Sequence, residues 1–142
     1  MLAEISEKVG APTGAQIRNF ESMLREFPQL DIKTQHTFGP GFYARTIDIP
    51  AGAVITGKVH ATEHVFILSQ GEMLLATEDG RQHVKAPFQC IARAGMKRVG
   101  HAVTDCVCTN IHITAETDLG RLEAELIVPD AIPFHDECEA LS

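Results

Sequence analysis

The feature that most restricts the fold is a series of short apolar segments between residues 34 and 114, each bounded by a turn signal. The turns contain Gly, Pro or Asp-Gly, and Asp79-Gly80 favours a two-residue hairpin because both residue types tolerate a positive φ. Many short strands at regular spacing favour an antiparallel sandwich or barrel over alternating βαβ units. The predicted strands lie near 42–48, 52–57, 63–69, 72–77, 82–86, 89–93, 97–103 and 105–114.

Helices are predicted on both sides of this all-β region. The first covers residues 13–27, with Thr13 as its cap and Pro28 after its end, and the second covers 117–127. Each has an apolar stripe that must pack on the sheets or on a neighbouring subunit, which favours a homo-oligomer. The stripes comprise Ile17, Phe20, Leu24 and Phe27 in the first helix, and Leu119, Leu122, Leu126 and Ile127 in the second.

Length and composition favour one domain over residues 1–142, with a barrel core at about 34–114. The chain has 142 residues, of which 44% are apolar, enough for a packed interior. The net charge of −7 argues against binding to nucleic acid or to an anionic membrane, because both need clustered Lys and Arg. No apolar run approaches the length of a membrane-spanning helix, about 18 residues.

The cysteine pattern favours a reducing compartment. Cys90, Cys106, Cys108 and Cys138 match no metal-binding spacing. We therefore predict reduced thiols and a cytoplasmic location. Cys106 and Cys108 would lie on one face of one strand as small buried apolar residues.

His60 and His64 are the strongest candidates for a functional site. They lie four residues apart at the start of an apolar strand. Neutral imidazole is the commonest protein ligand for transition metals. Strand alternation places His64, Phe66 and Leu68 on one face, which should be the barrel interior. The pair could instead be hydrogen-bonded histidines that fill the barrel.

His101 is the preferred third ligand because it follows the Ala94-Gly95 turn on a neighbouring strand. Three histidines and a water would form an open site for Zn, Fe, Mn or Ni. His112, in the last strand, is a weaker candidate, and His83 is expected to be exposed.

The residues around His60 and His64 resemble the first motif of the cupin superfamily. The similar pieces are Pro50-Ala-Gly52, the run from Gly57 to His64, and Gly71. Six residues separate His64 from Gly71, as six separate the family's glutamate ligand from its glycine. The resemblance therefore places His64 in the glutamate slot and His60 in the slot of the second histidine.

The resemblance implies an antiparallel jelly-roll barrel of six to eight strands, often dimeric, with any metal inside. It covers about residues 38–114. Lys58 falls on the family's first histidine and Arg98 on its third, so two of four family ligands have changed. The run from Gly57 to His112 and the following Thr114–Leu119 also resemble uncharacterised small cupin-like proteins of bacteriophages.

The two replaced ligands suggest a cationic pocket. If Lys58 and Arg98 point inward, they could bind a carboxylate or a phosphate. If they point outward, they are ordinary solvated side chains. Tyr43 could donate a hydrogen bond to a bound molecule, although packing is an equally ordinary role for it. Glu63 should point away from His64 and lie at the surface.

The sequence leaves two main functions open. The first is a small metal-binding protein that binds or converts a small polar or anionic molecule, with His60, His64 and His101 holding the metal and Arg98 orienting the ligand. The second is a structural or assembly jelly roll, such as a phage virion or accessory component, with a vacant or filled interior. A ligand sensor without turnover is a third. Whether the protein is an enzyme stays open.

Overall fold

The computed structural model describes residues 11–127, and every structural statement below concerns that part of the chain. Within it, two helices flank nine β-strands. The helices are α1 (Gly14–Leu24) and α2 (Leu119–Leu126). The strands are β1 (Lys33–Gly39), β2 (Phe42–Ile49), β3 (Val54–Thr56), β4 (His64–Gln70), β5 (Glu72–Thr77), β6 (Gly80–Lys85), β7 (Phe88–Ala92), β8 (Arg98–Ala102) and β9 (Cys106–Ile113).

The strands form two antiparallel sheets. Between residues 11 and 127 one sheet has the order β1-β2-β9-β4-β7, and the other has the order β3-β8-β5-β6. Non-consecutive strands are neighbours in both, which is the connectivity of a jelly roll. The predicted all-β jelly roll with flanking helices is confirmed, and all eight predicted strands are present with small shifts at their ends. That the whole chain is one domain stays a prediction.

The strand missing from the sequence prediction is β1. It pairs with β2 through the tight turn at Pro40-Gly41, where Gly41 has a φ of 82°. Most of its residues are exposed, so the segment has no apolar alternation to mark it as a strand. A polar edge strand of this kind is held by its backbone hydrogen bonds to one neighbour.

The core lies between the two sheets and is formed by alternate residues of the strands. His64, Phe66 and Leu68 share the buried face of β4, as predicted. Gly71 makes the turn into β5 with a φ of 97°, and a Cβ there would overlap the carbonyl oxygen of Asp105. The buried cluster comprises Ile47, Ile49, Ala53, Phe66, Leu68, Met73, Val84, Ala92, Ala102, Cys106 and Cys108.

Helix α1 begins as predicted and buries most of the predicted stripe, since Ile17 is buried and Phe20 and Leu24 are partly buried. Thr13 and Gln16 form a capping box at its N-terminus. Its buried residues are Gly14, Ile17 and Glu21. Phe27, predicted in the apolar stripe, is beyond the helix end and 60% exposed.

Glu21 is buried because it has partners in the second sheet. The hydroxyl of Thr56 donates to Glu21 Oε2 at 2.6 Å, and Lys97 Nζ lies 3.2 Å from the same oxygen. Buried charges are retained in proteins when they are paired and hydrogen-bonded. The ion pair therefore fixes α1 against the edge of the β3-β8 pair.

Helix α2 closes one end of the barrel. Asp118 caps its N-terminus and accepts a hydrogen bond from the backbone N–H of Arg121. Leu122 and Leu126 pack on Tyr43, while Leu119 is 47% exposed. The Leu126 carbonyl accepts a hydrogen bond from the N–H of Ala61, beside His60. The C-terminal helix thus lies directly over the segment that carries the first histidine.

Three of the four cysteines lie in the described part of the chain. Cys90, Cys106 and Cys108 are free thiols there, as predicted, whereas Cys138 lies outside residues 11–127. No helix within the described residues is long and apolar enough to cross a membrane.

Candidate metal centre

Three histidines from separate parts of the chain meet inside the barrel. His60 precedes β4, His64 is its first residue, and His112 lies near the end of β9. One ligand nitrogen from each can be chosen so that all three lie within 4.8 Å of one another. The pairing of Val65 with Ile111 brings the ends of β4 and β9 side by side, which places His64 beside His112 on the interior face.

The backbone of His60 is fixed on both sides. Its carbonyl accepts a hydrogen bond from the N–H of Gly95, and the residue forms a β-bridge with Ile127 at the end of α2. The ring of His60 consequently lies 4.3 Å from that of His64 and 4.9 Å from that of His112, measured between centroids. Three buried imidazoles this close together need hydrogen-bond partners or a common ligand for their nitrogens.

Four nitrogens of this cluster lack a hydrogen bond of good geometry among residues 11–127. They are Nδ1 of His60, Nδ1 of His112 and both ring nitrogens of His64, although the Thr62 backbone and the Asn110 side chain interact with the His64 ring. An unsatisfied buried polar atom costs about 1–3 kcal/mol. A metal ion would accept these lone pairs, so the residues present fit a transition metal bound by three histidines.

The cluster is also held in the protonation state that binds metals. Burial lowers the pKa of His60 to about 2, that of His64 to about 3 and that of His112 to about 4. The neighbouring guanidinium of Arg98 lowers the pKa of His64 further, and that of Arg45 does so for His112. All three rings are therefore neutral at pH 7 and can donate a lone pair.

His101, predicted as the third ligand, is not in this cluster. Gly100 and Ala102 of β8 are buried, and a Cβ on Gly100 would contact Met73 and Ile55 of the core. Strand alternation then places His101 on the opposite face of the sheet. His112 takes the place that the sequence prediction gave to His101. The turn before β8 does not show which residues of the strand face the interior, so the sequence could not decide between His101 and His112.

Arg98 points inward, which is the orientation that its predicted role in ligand binding needs. Its guanidinium lies 5.0 Å from the ring centroid of Phe66 and lines a small internal chamber of about 40 Å³. Arg45 of β2 lines the same chamber. Neither guanidinium forms an ion pair with a carboxylate of the described chain. Burial lowers the pKa of both guanidinium groups, because each loses more interaction with water than nearby groups replace.

Arg45 was not among the predicted site residues. It occupies no slot of the cupin motifs, and one arginine in a strand is ordinarily a solvated residue. The available signal was strand alternation, because Ile47 and Ile49 alternate with the polar Thr46 and Asp48 and share their face with Arg45. Asn110 of β9 lines the chamber as well, and its buried Oδ1 has no partner within the described chain.

Lys58 and Tyr43 line a second cavity, of about 250 Å³, between the barrel mouth and α2. The ammonium of Lys58 pairs with Glu123 of that helix. The hydroxyl of Tyr43 shares a hydrogen bond of 2.7 Å with His36 Nδ1. The structure therefore separates the three predicted ligand-binding residues, since Arg98 lines the inner chamber and not this cavity.

Two polar residues near the motif lie at the surface, as predicted. Glu63 is exposed immediately before β4. His83 is exposed on β6, where its ring pairs with Glu72 of the neighbouring strand. Neither contributes to the interior.

Comparison with known proteins gives a likeness in fold. No protein-family model matches the sequence, and no curated protein matches it. Among solved structures, KdgF from Halomonas sp. is 13% identical, with a TM-score of 0.54 over 66% of this chain and 89% of that one. The cupin domain of Schizosaccharomyces pombe Cnp3 is 19% identical, with a TM-score of 0.52 over 71% of this chain and 76% of that one.

An enzyme with the same fold is also similar. Salicylate 1,2-dioxygenase from Pseudoaminobacter salicylatoxidans, solved with gentisate, is 10% identical, with a TM-score of 0.54 over 75% of this chain and 31% of that one. At these identities the likeness establishes a cupin fold and confirms the resemblance at that level. The likeness to bacteriophage proteins stays a prediction.

Proposed function

We propose that this protein binds a divalent transition metal through His60, His64 and His112. The observation that carries the proposal is the set of buried imidazole nitrogens that have no partner within the described chain. Three imidazoles leave coordination positions open, as in catalytic sites and unlike closed structural zinc sites. Zn, Fe, Mn and Ni are all compatible with this ligand set.

We further propose that the ligand of this site is a small anion. Arg45 and Arg98 bring two positive charges to the interior, and no described carboxylate neutralises them by direct contact. Guanidinium groups match carboxylates and phosphates through paired N–H donors. An anion bound between them would supply the acceptors that the fold does not supply.

The chemistry of such a site follows from its parts. A bound metal with three histidine ligands supplies Lewis acidity or activates water or O₂. Arg45 and Arg98 would hold and orient the anionic group, and Phe66 would shield one face of Arg98 from water. Solved proteins of similar fold include dioxygenases for salicylate and acetylacetone, which favours metal-dependent chemistry here without naming the substrate.

The test is a metal titration of untagged protein, followed by calorimetry or by Co²⁺ absorption. We expect one ion per chain for the wild type and at least a hundredfold weaker binding for His64→Ala, since one of three ligands is lost. His101→Ala is the matched control, because it removes an imidazole from the other face of β8 and should leave affinity unchanged. Equal loss in both variants, or no stoichiometric metal in the wild type, would refute the proposal.

A second candidate is an assembly role, and one observation favours it. Met23, Phe27 and Leu30 lie around the end of α1 with half or more of each side chain exposed. A cluster of this kind is typical of a contact between subunits. In this hypothesis the barrel is a structural or accessory module, and a phage particle is one possible setting. A monomeric mass in solution at micromolar concentration would contradict it.

A further inference from the structure

The cavity beneath α2 has two chemically different halves, and it adjoins the histidine cluster. His60 and His112 line it directly. We infer that the ligand of the proposed metal site is a carboxylate that carries a short apolar body, with the body lying against α2. This inference rests on the proposed function for the position of the site and adds the chemical class of the ligand.

The polar half supplies the anion anchor. Arg45 lines both this cavity and the inner chamber, so its guanidinium faces the space next to the histidines. Lys58 adds a second positive charge, which Glu123 partly offsets through their ion pair. With the histidines neutral, the charged residues of the described lining are two cations, Arg45 and Lys58, and one anion, Glu123.

The apolar half comes from one side of α2 and the residue after it. Leu119, Leu122, Leu126 and Ile127 line the cavity, together with Glu123 of the same helix. A fully hydrated anion such as phosphate gains nothing from such a wall, because burying apolar surface stabilises a complex only when the ligand is also apolar. The wall is consequently a specificity element for a ligand with a hydrocarbon portion.

Size restricts both portions of the ligand. The cavity measures about 250 Å³, below the usual range of about 300–1,000 Å³ for drug-sized ligands. The adjoining chamber between Arg45 and Arg98, about 40 Å³, has room for a group of water-like size. A planar carboxylate suits that chamber better than a phosphoryl group does, and a chain of a few carbons suits the cavity.

The test is a chain-length series measured by calorimetry with acetate, butanoate, hexanoate and inorganic phosphate. For protein with and without Co²⁺, we expect affinity to rise about fourfold for each added methylene that is buried. Inorganic phosphate should bind more weakly than hexanoate. A flat series, absence of carboxylate binding, or phosphate as the tightest ligand would overturn the inference.

A pair of matched variants locates the hydrocarbon portion. Leu119→Ala removes an exposed part of the wall, and it should weaken hexanoate about fivefold while leaving acetate unchanged. Leu74→Ala is the control, because Leu74 is comparably exposed (41% against 47%) and lies on β5, away from this cavity. Equal effects of the two variants on hexanoate would also overturn the inference.

The same data distinguish failure of the inference from failure of the proposed function. A chain-length dependence in protein that takes up no metal would leave the inference standing and refute the metal site. Stoichiometric Co²⁺ binding together with a flat series would refute the inference alone.

Discussion

Two buried polar clusters lie on different sheets of the barrel, and they differ in how their atoms are satisfied. In the first, Glu21 accepts a hydrogen bond from Thr56 and pairs with Lys97. In the second, His60, His64 and His112 face one another with buried nitrogens that have no partner among residues 11–127. The first cluster attaches a helix to a sheet, whereas the second borders a cavity.

The contrast teaches that burial of a polar residue does not by itself indicate function. Glu21 is fully buried, and its Oε2 is paired with Thr56 and Lys97, although its Oε1 has no hydrogen bond among residues 11–127. Several ring nitrogens of the histidines have no hydrogen bond of good geometry among residues 11–127, and Arg45 and Arg98 form no ion pair there, although the charge of Glu123 acts on Arg45. Absent partners beside an open cavity point to a ligand from outside, because an uncompensated buried group otherwise only destabilises the fold.

The largest expected effect concerns the satisfied cluster. Glu21→Gln removes the buried negative charge that lies 3.2 Å from the ammonium of Lys97, so we expect the free energy of unfolding to fall by about 3–5 kcal/mol. Urea denaturation measures this. Glu26→Gln, at an exposed position of the same region, is the control and should change stability by less than about 0.5 kcal/mol. Similar effects of the two variants would show that the ion pair does not fasten α1.

A smaller effect is expected from pH on the metal-free histidine cluster. Burial lowers the pKa of all three rings to between about 2 and about 4 in the folded state, below the ordinary value of 6.5. The unfolded state therefore binds more protons below pH 6.5, and stability that is present above that pH is lost as pH falls. Between pH 6.5 and 5.5 the loss should be about 1 kcal/mol for each histidine.

This pH effect is checked by urea denaturation of metal-free protein at both pH values. His64→Leu removes one of the three titrating rings and should reduce the pH-dependent loss by about a third. Saturating Co²⁺ should oppose the loss, since protons compete with the ion for the same nitrogens. A stability that does not change between these pH values would contradict neutral, buried imidazoles.

The smallest expected effect is a gain in stability. Arg98→Met replaces a guanidinium without a carboxylate partner by an apolar side chain of similar length next to Phe66. We expect the free energy of unfolding of the ligand-free protein to rise by about 1–2 kcal/mol, and anion binding to be lost. A Tm measurement with and without hexanoate tests both. A marked loss of stability would show that Arg98, like Glu21, has a structural role.

The fold could be predicted because its signals are local. Turn residues such as Gly71 and Gly95, together with apolar alternation in β4 and β9, mark strands one at a time. Strand β1 has no such alternation, and its pairing with β2 depends on backbone contacts that composition does not record. The buried face of α1 was predicted only in part. Ile17 is buried as expected, but an ion pair with Lys97, distant in sequence, makes Glu21 more buried than Phe20.

The site could be predicted only in part, for a related reason. His60 and His64 lie four positions apart in one motif, so a single stretch of sequence identifies both. The third histidine comes from a strand that is adjacent in space and distant in sequence, and the choice between His101 and His112 depends on which face each strand turns inward. Arg45 depends on the same parity and has no motif to mark it.

Anomalous diffraction at the metal absorption edge, from a crystal grown with Co²⁺, tests the central claim most directly. The account predicts one peak at about 2.0–2.2 Å from a nitrogen of each of His60, His64 and His112, with at least one remaining position facing the cavity. A cluster without a peak, or a peak bound instead at His101, would contradict it.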